Sequence, residues 1–139
     1  MVDQEIDDLI VGHVEKFGDS TFPKLLEFVD QETDIDPYGE INYFVRANDR
    51  FTNCMVWHHM SEEFLDVWDR LWIVNNPDKG RLKLHPMGAM EALIIHSYDG
   101  SPMLNLPIAK RPPKNGYKKP RWLPCLVKPV EKKFPSLKK

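Results

Sequence analysis

The densest grouping of reactive side chains lies in C-M-V-W-H-H-M-S-E-E, where Cys54, His58 and His59 fall within six residues and Glu62 and Glu63 follow. A thiol and two imidazoles suggest zinc. Such sites present matched ligand pairs, and no second pair is available here, because His85 and His96 stand alone. Adjacent histidines also point to different sides of a regular element, so the sequence predicts one core-facing and one exposed imidazole. Cys54 near His58 has the composition of a thiolate–imidazole pair but lacks an assignable third group to orient the ring. The acidic stretch D-Q-E-T-D-I-D-P-Y-G-E fails as a calcium loop. A register from Asp34 puts Val45 where a bidentate Glu is needed, and one from Asp30 puts Ile35 at the glycine position. Phosphate-cradling glycine loops, a nucleophile elbow and H-E-x-x-H are absent. The expectation is a protein that is not an enzyme and uses no metal or cofactor.

Cations carry the stronger signal. The chain has 139 residues and a net charge of −2, but from Lys110 to Lys139 eleven Lys and Arg face one acid, Glu131, a balance of +10. The first 109 residues hold the other eight bases and twenty acids, a balance of −12. Lys110, Arg111, Lys114, Lys118, Lys119 and Arg121 are interleaved with Tyr117 and Trp122, a mixture suited to backbone contact plus base stacking. Lys79, Arg81 and Lys83 form a second group, and Arg46 and Arg50 a third. Two readings stay open for the tail: a binding arm, or a segment that neutralises its own acidic body.

Elements that would position these groups follow from periodicity. Residues 4–17 place Ile6, Leu9, Ile10, His13, Val14 and Phe17 at helical spacing. Asp19 or Ser20 can cap a second helix over about 21–31, with Pro23 in its first turn. A third helix is predicted over 40–52, with Ile41, Phe44, Val45 and Phe51 inward. Cys54 to Met60 reads as a strand or a tight connection. Ser61 then caps a fourth helix to about Val74, with Glu62 and Glu63 in the first turn and a buried stripe of Phe64, Val67, Trp68, Leu71 and Val74. A turn at 75–80 leads to strands at 81–85 and 92–98, the latter ended by the hairpin dipeptide Asp99-Gly100. Eight of twelve prolines lie from Pro102 onward, which reads as an extended arm that packs back in part through its apolar residues.

This order, helices, then S-E-E-F-L-D-V-W-D-R-L, a turn and a basic-edged strand pair, resembles the winged helix-turn-helix superfamily over residues 20–98. The expected architecture is α+β: N-terminal helices followed by a small antiparallel β-hairpin sheet in residues 1–108, with a basic proline-rich arm in 109–139. In that resemblance residues 61–74 replace the recognition helix, and 81–85 and 92–98 are wing strands. Glu62, Glu63, Asp66 and Asp69 on its outward face would repel a polyanion, so contact with a DNA backbone would fall to wing and arm. The expected role is a small DNA-binding or regulatory protein. The alternative is a protein–protein adaptor that uses the acidic helix face or the basic arm. Two cysteines without a C-x-x-C pair, an acidic N-terminus and no bilayer-length apolar run predict a cytoplasmic, non-membrane protein. A homodimer through Ile6, Leu9 and Ile10 of an exposed first helix is a further expectation.

Overall fold

The computed structural model describes residues 2–17, 20–47, 50–100, 102–109 and 116–130, and the side chains of 46, 47, 50, 51 and 99 are outside that description. Among the described residues the fold is mixed α+β, with four helices and two small three-stranded sheets. Helix α1 (Asp3–Phe17) has Asp3 and Glu5 at its positive end and buries Ile6, Ile10, Val11 and Val14. Ile6 and Ile10, two of the three residues of the dimer face expected there, are buried in the core, and Leu9 alone of the three is exposed. Strand β1 (Ser20–Thr21) leads straight into α2 (Phe22–Glu32). The cap is Thr21, not Asp19 or Ser20 as expected; its side chain accepts from Lys24 N, and Pro23 sits in the first turn.

The largest departure from expectation is in the helix predicted over 40–52: residues 40–47 and 50–52 belong to strands β2 (Tyr38–Ala47) and β3 (Arg50–Met60), paired as a long antiparallel hairpin. Tyr43, Phe44 and Val45 are each partly buried, so both faces carry apolar groups and no period-two signal marks the strand. Beyond the hairpin, α3 (Glu62–Leu71) starts where the sequence places it, with Ser61 accepting from Phe64 N at 3.0 Å. Phe64, Val67, Trp68 and Leu71 are buried as the stripe requires, but the helix stops at Leu71 and leaves Val74 exposed.

Strand β4 (Leu82–Pro86) lies where the first of two strands was expected, but it has no hairpin partner at 92–98, because that stretch is a helix, α4 (Ala89–Asp99). Gly100, at φ 69°, is the left-handed residue closing α4 rather than a hairpin turn. The proline-rich segment supplies β5 (Arg121–Trp122) and β6 (Cys125–Pro129). Strand β6 is the middle of the sheet β1-β6-β4, antiparallel to both neighbours, and β5 adds in parallel to β3 in the sheet β2-β3-β5. Residues 116–130 are the part of the proline-rich segment that packs on the body, as its apolar residues led one to expect: Trp122, Leu123, Cys125, Leu126 and Val127 are all buried. The two pieces missing from the winged-helix order are the helix at 40–52 and the strand at 92–98.

One core joins α1, α2, α3, β3, β4 and β6, and an aromatic cluster lies within it. Phe22 meets Trp68 edge-on at 5.2 Å, Tyr43 meets Trp72 at 6.1 Å, and Trp68 Nε1 donates to Tyr43 Oη at 3.2 Å. Burial pushes the Tyr43 phenol well above its usual range, so it stays protonated. Outside the core, Arg70 holds Asp7 with two bonds, at 2.7 and 3.2 Å, and ties α3 to α1. Among the described residues no helix is long and apolar enough to cross a membrane.

Candidate functional site

Strand β3 carries the features that build both candidate sites. Between Ile41↔Met60 and Tyr43↔Trp57, β2 advances two residues while β3 advances three, and between Val45↔Cys54 and Arg46↔Phe51 it advances one against three. The extra residues are bulges. Each contains a non-glycine residue in the left-handed region, His59 at φ 54° and Asn53 at φ 58°. Such residues are uncommon, with Asn and His among the more tolerant types.

The Asn53 bulge sits near the distal end of the hairpin. Its amide Nδ2 donates to Tyr117 O at 2.7 Å, and Tyr117 N donates to Thr52 O at 2.9 Å. The bulge thus fastens the segment that leads through Lys118 and Lys119 to β5. Both lysines are exposed, and the Arg121 guanidinium lies 4.6 Å from the Tyr117 ring centroid. Arg46 and Arg50 occupy the last register positions of the hairpin, paired with Phe51 and Ala47. Lys118, Lys119 and Arg121 therefore come to the same end of the sheet as the backbone positions of residues 46 and 50, although all five span much of the sequence. Lys110, Arg111 and Lys114 lie outside the described residues.

The other cations are elsewhere. Lys79 is exposed in the turn before β4, and Arg81 is engaged by Asp8 at 2.7 Å, which holds that carboxyl below its usual range. Lys83 lies directly opposite Lys128 across β4 and β6, a like-charge pair missed in the sequence because the partner strand was not foreseen. Trp122, expected as a stacking ring, is core. The acidic face is equally localised. Asp3, Asp34, Glu63 and Asp66 line a cleft of about 450 Å³ with Arg70. Ser61, the cap of α3, contacts Asp36 and Pro37 at the hairpin base. Ten-residue β2 separates base from tip by roughly 30 Å.

The His59 bulge overturns the expectation of divergent histidines. It brings the His58 and His59 rings to 4.1 Å of each other, and both line a second cleft. Burial and the neighbouring His59 hold the His58 imidazole below its usual range. Gly39 makes this base possible, since a Cβ there would stand 2.8 Å from Met60 O. Among the described residues no three His, Cys, Asp or Glu side chains converge as a metal-ion site. Cys54 and Cys125 are buried free thiols, and burial with Cys54 nearby pushes Cys125 up to about 12.

No family model, curated protein or solved structure matches this chain. Function has to be read from these surfaces.

Proposed function

We propose that the protein binds nucleic acid through its phosphate backbone, using the distal end of the β2–β3 hairpin. The observation that supports this most is the Asn53–Tyr117 clip, which sets Lys118, Lys119 and Arg121 beside the Arg46 and Arg50 positions. Charge segregation also favours it, since the acidic cleft lies by the hairpin base, away from an approaching polyanion. In this reading the hairpin plays the part of a wing, although it precedes α3 instead of following it. Acidic α3 has no role in the groove.

Anisotropy with a random duplex over about 50–200 mM salt tests the reading, because each phosphate neutralised steepens log K against log salt by about 0.9. The doubly substituted Lys118→Glu, Lys119→Glu protein should lose about two from that slope. A wild-type protein that ignores duplex at the lowest salt, or a slope indifferent to those changes, refutes it.

A second reading, a protein-contact module, is favoured by α4. Its Met90, Leu93, Ile94 and Tyr98 are 71, 48, 60 and 91% exposed, while Ala92 and His96 are the buried ones among its described side chains. A second copy of the chain is the simplest partner for a stripe that carries few charges. Sedimentation of wild type against Ile94→Glu decides it: a dimer that the substitution dissociates supports the module, and a monomeric wild type removes it.

A further inference from the structure

The second cleft, about 440 Å³, lies between α2, the hairpin base and the segment after α4. Lys24 and Glu27 reach it from α2, Tyr38 from β2, and Trp57, His58 and His59 from β3; Gly100 and Pro102 complete the rim. Its size falls within the range of small-molecule sites and exceeds what an inorganic ion needs. Two imidazoles held 4.1 Å apart repel one another when charged, and an anion between them would remove that repulsion. A left-handed histidine is what places both rings on this side. That is an observed backbone outlier, the kind from which a functional hypothesis can start.

We propose that this cleft binds a free mononucleotide. Its phosphate lies against Lys24, His58 and His59, and its base against the half-exposed Tyr38 ring. The ammonium and two ring N–H groups offer three donors to a tetrahedral dianion, and charge-assisted bonds of this type are the strong ones. Tyr38 gives the base a face to stack on, and Trp57 forms the apolar wall. Glu27 disfavours a second anion and can accept from ribose hydroxyls, as carboxylates do in other nucleotide sites. The site is independent of the hairpin tip and of the nucleic-acid reading.

Binding carries a proton signature. Among the described residues the titratable and charged groups that line the cleft with His58 are Lys24 and Glu27 of α2, Tyr38 of β2 and His59 of β3, and Asp30 and Asp36 act on Tyr38 from outside it. His58 is held below its usual range in the free protein, and a phosphate beside it favours the charged ring, so binding near neutral pH takes up a proton.

Calorimetry with AMP, adenosine and inorganic phosphate, repeated in buffers of different ionisation enthalpy, is the test. AMP should bind at least about tenfold tighter than either fragment, with net proton uptake that disappears in His58→Gln. Lys24→Ala and His59→Gly should each weaken AMP by about tenfold with the melting temperature kept, and Lys118→Glu should leave it unchanged. Phosphate binding as tightly as AMP overturns the assignment. So does an AMP affinity that survives Lys24→Ala and His58→Gln, or no AMP binding to the wild type.

Discussion

Two of the bulges in β3, at Asn53 and at His59, are used in opposite ways. Both put a non-glycine residue in the left-handed region, and both interrupt the pairing with β2. At Asn53 the chain itself supplies the partner: an amide donates to Tyr117 O, and the Tyr117 N–H returns a bond to Thr52. At His59 the bend turns two imidazoles toward a cleft lined by Lys24 and Tyr38. The first bulge is tied into the fold, whereas the second holds polar groups ready for something outside it. A bulge alone therefore does not mark a site; what its side chains meet decides the matter.

The sharpest break of the comparison removes what the first bulge holds. A chain ending at residue 115 loses β5 and β6, including the buried Leu123, Leu126 and Val127. Each such side chain contributes about 1.5–3 kcal/mol, and the sum is comparable to a domain's whole stability of about 5–15 kcal/mol. The truncated protein should show no cooperative urea transition. A cooperative transition near that of the full chain would mean that residues 116–130 are an appendage after all.

Next in size is Asn53→Leu, which removes the amide bond and places a branched side chain at positive φ. Together these should cost about 2 kcal/mol, and Asn53→Gly, which keeps the backbone, about half of that. Urea melts give the totals, and hydrogen exchange at the Tyr117 amide shows whether the clip has opened. His59→Gly should behave differently. Relief of the left-handed conformation offsets the added chain entropy, so stability should stay the same or rise by up to about 1 kcal/mol. Equal losses at both positions would abolish the distinction between a structural bulge and a functional one.

The same contrast explains what the sequence disclosed. Helices α1, α2 and α3 were legible because each buries a helical stripe and two have hydroxyl caps, Thr21 and Ser61. Residues 40–47 and 50–52 resemble a helix in sequence because Ile41, Phe44 and Val45 also fit a helical face, and the bulges of β3 destroy the alternation that would reveal a hairpin. Helix α4 resembles a strand for the reverse reason. Its buried residues are Ala92 and His96, while Leu93 and Ile94 face outward, so its apolar pattern points away from its packing. Prolines at 120, 124 and 129 suggested an arm, yet Pro120 and Pro124 flank the two short strands and Pro129 ends the second, where no ladder is interrupted. Of the candidate groups, the cations were visible by composition, and their meeting at one end was not. The histidine cleft was hidden, because no local signal tells that His59 adopts positive φ.

The smallest expected effect is one of pH, and it separates the bulges without a substitution. Asn53 does not titrate. His58 has its folded value depressed by burial and by His59, so the unfolded chain binds more protons between the two values. Its contribution to stability is complete above about pH 6.5 and is lost as pH falls through the lowered folded value. His13, stacked on Phe28 at 4.2 Å, is depressed in the same direction by burial and by Lys24. Its titration has to be removed first, with His13→Phe. In that background, acidification from about pH 7 to 5.5 should lower the melting temperature by a few degrees. Corrected for the intrinsic pH dependence of amide exchange, the rate should quicken at the hairpin base, around Trp57 and Met60, and stay constant at Tyr117. Uniform quickening along the hairpin would show that the two ends respond as one unit, and His58 would then have no local role.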